Sequence, residues 1–218
     1  MTLALYAHPL SSYCWKVLAP LYENGTAFEM RPLDPEHPQN FAELQGLWPA
    51  AKMPLLKDEA RGQAIPESSI IIEYLDQHYR GPVRLIPDDP DAARQVRLAD
   101  RFWDLHVHQH MQAIVNAALR PDDAKDPYGV AQARGKLDLA YDMIEADMAN
   151  RTWAAGDAFS LADCAAGPAL FYADYQHPIG GQRPNTRAYL QRLVERPGLK
   201  RAMAEAQPYM HMVPREAR

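Results

Sequence analysis

The chain has 218 residues, enough for one large domain or two modest ones with a sizeable buried core. Apolar residues make up 47% and charged residues 23%, as in an ordinary globular protein, and a net charge of −5 argues against wrapping nucleic acid or coating an anionic membrane. No apolar run reaches about 18 residues, so no membrane-spanning helix is expected. The start, Met1 to Pro9, carries no basic region ahead of a long apolar stretch, and no export signal is expected. The two cysteines, Cys14 and Cys164, lie far apart in different kinds of segment, which predicts no disulfide framework and fits a reducing cytoplasm.

Leu3-Ala4-Leu5-Tyr6 is short and apolar and reads as a buried strand ending before Pro9. Ser11 to Asn24 places Trp15, Val17, Leu18, Leu21 and Tyr22 at helical spacing, with Gly25 as terminator. Ala27 to Arg31 reads as a second strand, and the proline-rich stretch from Pro32 to Pro49 holds a short helix near Phe41 to Leu47. Met53-Pro54-Leu55-Leu56 and Gln63-Ala64-Ile65 flank the turn Asp58 to Gly62 and predict a hairpin. Glu67 to Tyr79 is a helix with Ile70, Ile71, Tyr74 and Leu75 on one side. The order β-α-β-α-β-β-α needs a helical crossover for its parallel first pair and closes antiparallel, which is the thioredoxin-like arrangement. Residues 1–80 are therefore expected to form an α/β domain, with residues 81–90, rich in turn formers, as linker. Amphipathic runs near Asp91–Leu119, Tyr128–Ala149, Leu161–Tyr175, Thr186–Glu195 and Gly198–Glu205 make residues 91–218 an all-α bundle.

Three short motifs in the first domain can carry chemistry, and each has a plain structural reading beside the functional one. In His8-Pro9-Leu10-Ser11-Ser12-Tyr13-Cys14, two hydroxyls stand between a strand end and a helix start. A helix start presents unpaired N–H groups and about half a positive charge, where a hydroxyl can favour a thiolate or simply cap the helix. In Lys52-Met53-Pro54-Leu55, a cis proline would turn the polar backbone of Met53 toward a peptide ligand; a trans proline on an edge strand is the alternative. In Pro66-Glu67-Ser68-Ser69, an acidic side chain, a hydroxyl and free N–H groups can hold an amino acid's ammonium and carboxylate, or merely open a helix.

Taken in order, these motifs resemble the cytosolic glutathione transferases, in their bacterial, serine-type form. Phe159-Ser160-Leu161-Ala162-Asp163 is similar to the capping box of the family's second domain, and Arg183-Pro184-Asn185 and Glu195-Arg196-Pro197-Gly198 to its closing helices, so the resemblance spans essentially the whole chain. It implies a thioredoxin-like glutathione-binding domain followed by an all-α substrate domain. Ser11 stands three positions before Cys14, the relation the catalytic serine has to a small or cysteine residue in serine-type members, so the resemblance makes Ser11 the thiolate donor and Ser12 the runner-up. In the omega branch a cysteine replaces that serine; here the place is Ser11, which leaves Cys14 as a buried helix cysteine. Tyr6 is the tyrosine that could reach in from the strand. The resemblance implies that Met53 and Pro54 meet the cysteinyl unit of glutathione, Glu67 and Ser68 its γ-glutamyl end, and Lys52 its glycyl carboxylate, although Trp48-Pro49-Ala50-Ala51 departs from the usual Asn-Pro beginning of that segment.

In the helical domain, Trp103, His106, His110 and Met111 are expected to line the pocket for the second substrate. His106 and His110 share a helix face, but the surrounding residues lack the carboxylate pattern of a zinc site and no metal is expected. The expected activity is conjugation of the glutathione thiolate to small hydrophobic electrophiles. A glutathione-dependent isomerase, dehalogenase or peroxidase on the same scaffold, or a non-catalytic glutathione-binding or regulatory protein, remain the alternatives. The family pattern implies a homodimer, with Asp100 or Asp104 reaching toward the neighbour's glutathione; from the net charge, no nucleic-acid or membrane partner is expected.

Overall fold

A computed structural model of the chain describes residues 2–214. These divide into two compact units, one running to Ile86 together with Pro197–Tyr209, the other covering Pro87–Arg196 and the segment from Met210.

The first unit is built on a four-stranded mixed sheet in the order β2-β1-β3-β4. β1 (Leu3–Ala7) is buried along its whole length, which is why its sequence is a continuous apolar run rather than an alternating one. It pairs parallel with β2 (Glu29–Pro32), reached through α1 (Ser12–Glu23) as the crossover. On its other side it pairs antiparallel with β3 (Leu55–Asp58), which turns back into β4 (Gln63–Pro66). α2 (Pro38–Leu47) and α3 (Ser68–His78) complete the expected order. α1 ends where Gly25 adopts φ +61, a conformation costly for a residue with a Cβ, and the Thr26 N–H returns to the Leu21 carbonyl at 2.9 Å.

Two features depart from the expected domain limits. Residues 81–86 do not hang free as a linker: Asn24 grips Val83 through both backbone groups, Asp76 accepts from the Leu85 N–H at 3.0 Å, and Leu85 is buried. The last helix, α9 (Pro197–Ala206), belongs to the first unit, where it packs against α1. Gly198 permits that approach, since a Cβ there would overlap the Ala19 carbonyl oxygen, and its N–H donates to the Glu23 carboxylate at 3.0 Å. The Tyr22 hydroxyl reaches Glu205 at 2.6 Å, and the Arg201 guanidinium lies over the Tyr22 ring. An amphipathic pattern says that a helix has a buried face, not which neighbour buries it.

The second unit is helical. α4 (Pro90–Phe102) is capped by Asp89, whose carboxylate accepts from the Ala92 N–H at 2.8 Å. The run expected as one helix continues through a π-helical stretch, Trp103–His108, into α5 (Gln109–Ala118). In that stretch the adjacent pairs Trp103–Asp104 and Val107–His108 face inward together. α6 (Pro127–Met148), α7 (Leu161–Gln176) and α8 (Pro184–Val194) complete the unit. α7 is buried along nearly its whole length and is the core helix.

Its start hangs on one fully buried carboxylate. Asp163 accepts from the Ser160 N–H at 2.9 Å, the Ser160 hydroxyl at 3.0 Å, the Ala154 N–H at 2.8 Å and the Tyr189 hydroxyl at 2.6 Å. One side chain thus joins the loop before α7, its first turn and α8. Asp163→Ala would leave those donors buried without an acceptor, and should lower the unfolding free energy by about 3 kcal/mol or more, read by urea denaturation.

Candidate functional site

Strand register brings the three motifs of the first unit to one end of the sheet. Tyr6 of β1 lies opposite Leu55 of β3, and Leu55 lies opposite Pro66 of β4. Residues 8–11 leave that end of β1, Met53 and Pro54 enter β3 there, and Glu67 and Ser68 leave β4 there. Motifs more than fifty residues apart in the chain therefore become neighbours.

The turn at the end of β1 is tied at every residue. The Ser11 N–H donates to the His8 carbonyl at 3.0 Å, closing a four-residue turn with Pro9 in its second place, where a fixed φ is favoured. The Leu10 N–H donates to His8 Nδ1 at 3.1 Å, and the Trp15 indole N–H donates to the Pro9 carbonyl. The Trp15 N–H then donates to the Ser11 carbonyl at 3.0 Å as α1 begins.

Ser11 is the N-cap of α1: its Oγ accepts from the Cys14 N–H at 3.3 Å. The hydroxyl is half-buried; the cap takes one of its lone pairs, and the same hydroxyl also lies within hydrogen-bond reach of the Cys14 thiol. Capping and thiolate stabilisation are thus compatible roles for one side chain. Ser12 is the first residue of the helix and is buried. Cys14 is fully buried, and burial pushes its thiol up to about 11; Ser11 and the His8 backbone beside it offset only part of that. The thiolate of Cys14 is accordingly disfavoured at neutral pH. Tyr6 is fully buried, and its hydroxyl bonds to Glu43 on α2. Burial and that carboxylate both push the phenol above its ordinary range, so Tyr6 is committed to the sheet's packing rather than to the end where the motifs meet.

The Met53–Pro54 peptide is cis. The Met53 side chain packs on the cluster of Tyr6, Leu33, Leu44 and Leu55, while Lys52 is exposed. Glu67 stands at φ +67, ψ 116, a backbone conformation that an L-residue rarely adopts and that costs about 1–3 kcal/mol. Glu67 is exposed and Ser68 buried at the first turn of α3. Beneath them Lys16 of α1 is almost wholly buried, its Nζ 2.9 Å from Ser69 Oγ, which ties α1 to the start of α3. Lys16 had no part in the reading of the sequence, although a lone charge within Cys14-Trp15-Lys16-Val17-Leu18 was the available signal.

The four residues expected to line a second-substrate pocket do not share one surface of the helical unit. Trp103 and Met111 are each 2% exposed and pack in its core, the Trp103 ring lying 5.9 Å from Tyr189 and 5.5 Å from Phe102. His106 is exposed and stacks on Phe102 at 5.5 Å. His110 is half-buried, and burial, then His106 and Lys136, lower its pKa. Trp103 and Met111 lie on the helix face turned to the core, while His106 and His110 lie toward its outer side. Asp100 and Asp104 are buried, and Arg101 holds both, at 2.8 and 2.5 Å.

Comparison with known proteins agrees with the sheet and the helical unit. The glutathione S-transferase N-terminal domain model matches residues 5–83, and the C-terminal domain model of the same family matches residues 102–197. A glutathione S-transferase-like protein of Fusarium is 27% identical over 88% of each chain. A stringent starvation protein A homolog of Coxiella burnetii is 26% identical over 97% of this chain and 96% of its own. The crystal structure of a glutathione S-transferase from Methylobacillus flagellatus with GSH bound superposes with a TM-score of 0.81 at 27% identity, covering 92% of this chain and 98% of that one. The chain belongs to the glutathione S-transferase family.

The strain at Glu67 yields a prediction that needs no ligand. Glycine tolerates positive φ and alanine does not. Glu67→Gly should therefore be more stable than Glu67→Ala by about 1 kcal/mol in urea unfolding.

Proposed function

We propose that the protein is a glutathione transferase, binding glutathione at the end of the sheet where the three motifs converge. The observation that carries this reading is the Ser11 hydroxyl, held at the N-terminus of α1 where the cap takes only one of its lone pairs. A thiol placed there meets a hydrogen-bond donor and the positive end of the helix, both of which favour the ionised form. The ionised sulfur attacks the electrophilic carbon, the thiol proton passes to solvent, and the leaving group departs or the adduct takes up a proton. The protein supplies orientation and a larger thiolate fraction at neutral pH.

Glutathione is an extended peptide with a charged group at each end, and the site has matching parts. Met53 beside the cis peptide suits the cysteinyl backbone. Glu67 and Ser68, at the start of α3, suit the γ-glutamyl ammonium and carboxylate, and exposed Lys52 the glycyl carboxylate. Small hydrophobic electrophiles are the proposed second substrates, and the cytoplasm, where glutathione is abundant and both cysteines would stay reduced, is the proposed location. The Coxiella relative keeps a whole-chain resemblance under a name that is not a transferase's, so a non-catalytic glutathione-binding role is the second reading.

Ser11→Ala should raise the pKa of the bound glutathione thiol by about one unit, roughly tenfold in the thiolate ratio, and slow conjugation accordingly. It should also cost about 1 kcal/mol of stability, because the cap is lost. Ser11→Asp restores the cap acceptor without a hydroxyl proton, so it should recover the melting temperature and not the thiol pKa. Ultraviolet thiolate absorbance of bound glutathione against pH, beside thermal melts, reads both effects. An unchanged thiol pKa in Ser11→Ala removes Ser11 from the chemistry, and normal binding without conjugation across a panel of electrophiles favours the non-catalytic reading.

We further propose that the protein is a homodimer. Ile70 on α3 and Leu98 on α4 are 53% and 63% exposed, apolar side chains that pairing would cover. Sedimentation at micromolar concentration should give twice the chain mass of 24.6 kDa, and a monomer would exclude the pairing.

A further inference from the structure

We propose that His8 is a positioning residue for Ser11, holding the turn that carries the thiolate donor through the acceptor nitrogen of its neutral imidazole. The inference rests on the proposed role of Ser11. His8 grips the turn twice: its carbonyl takes the Ser11 N–H at 3.0 Å, and its Nδ1 takes the Leu10 N–H at 3.1 Å. The first bond sets the span of the turn. The second fixes the rotation of the peptide between Pro9 and Leu10, and with it the direction in which Ser11 leaves. An imidazole accepts at Nδ1 only when neutral with its proton on Nε2, so the turn selects one charge state and one tautomer.

The surroundings favour that form. The His8 ring is half-buried and stands edge-on to Tyr209, 5.5 Å between centroids, beyond the end of α9. Burial lowers its pKa, while Asp34, in the loop between β2 and α2, raises it to a smaller extent. Asp34 is itself engaged by His37 at 2.7 Å and by the Glu36 N–H at 2.9 Å. The ring is therefore gripped from one side by Leu10 and braced from the other by Tyr209, and Ser11 is the next residue along the chain.

Two substitutions separate the acceptor from the ring. His8→Phe keeps an aromatic ring for Tyr209 and loses the acceptor. His8→Asn loses the ring and keeps an acceptor, since an asparagine carbonyl reaches the N–H two residues on. The bound-thiol pKa should rise by about half a unit in His8→Phe, roughly threefold in the thiolate ratio, with glutathione affinity nearly unchanged. It should return to the wild-type value in His8→Asn. A purely packing role for His8 predicts the opposite order, with the phenylalanine variant normal and the asparagine variant impaired, and that result would overturn the proposal. If Ser11→Ala shifts the thiol pKa and His8→Phe does not, the role of Ser11 stands and that of His8 falls; if neither does, the reading of Ser11 itself has failed. Nitrogen-15 spectra of the wild-type protein give a test independent of variant folding: the His8 ring should show a proton on Nε2 and none on Nδ1 at neutral pH, and a proton on Nδ1 would refute the arrangement.

Discussion

The pairing of β1 with β3 is the constraint on which the site depends. Tyr6 opposite Leu55, with Leu55 opposite Pro66, decides that the exits of β1 and β4 and the entry of β3 lie at one end of the sheet. A slip of one residue would exchange the side chains on the two buried faces of β1, large Tyr6 and Leu5 among them, and misfit the packing on each. Three motifs that are individually ordinary, a capped helix, a cis proline and a helix opened by Glu-Ser, become a site through that pairing. The Lys16–Ser69 bond then ties α1 to α3 on the same side of the unit.

Ser11 shows how one side chain can serve the fold and the chemistry together. A hydroxyl has one proton and two lone pairs, and the cap consumes a lone pair. Cap and donor therefore compete for position but not for the same atom's capacity. The competition for position is resolved by the turn, in which His8, Leu10, Pro9 and Trp15 fix each peptide before the helix begins. Cys14, one turn further on, is closed to thiolate chemistry by burial, so the apolar packing that anchors α1 also removes a competing nucleophile.

The helical unit follows a different rule. Its order rests on a few buried polar hubs within an apolar interior, chiefly Asp163, which satisfies donors from three segments. Arg183 is a second hub, bonding Asp142 at 2.7 Å, Asp138 at 3.1 Å and the Ile179 carbonyl at 3.0 Å while it lies against the Tyr141 ring. Hubs of this kind join α6, α7 and α8 by directional bonds, where apolar contact alone would tolerate sliding.

The sequence by itself determined the element order, nearly every helix and strand, and the family to which the chain belongs. Those follow from local signals: apolar periodicity, proline and glycine at element ends, and short motifs whose order survives without any contact map. Gly25 as terminator, Asp163 reaching back to Ser160, and Ser11 at the mouth of α1 could all be read this way because cap and stop are local events. Tertiary structure decided the rest. The hydroxyl of Tyr6 turns to Glu43, α9 joins α1 through Gly198, and residues 81–86 dock on Asn24 and Asp76, each settled by a partner distant in the chain. Trp103 and Met111 pack in the core and His106 stays outside. A period of 3.6 residues groups side chains by helix face, but which part of that face meets the core and which lines a surface is chosen by the packing around it and has no local signature of its own.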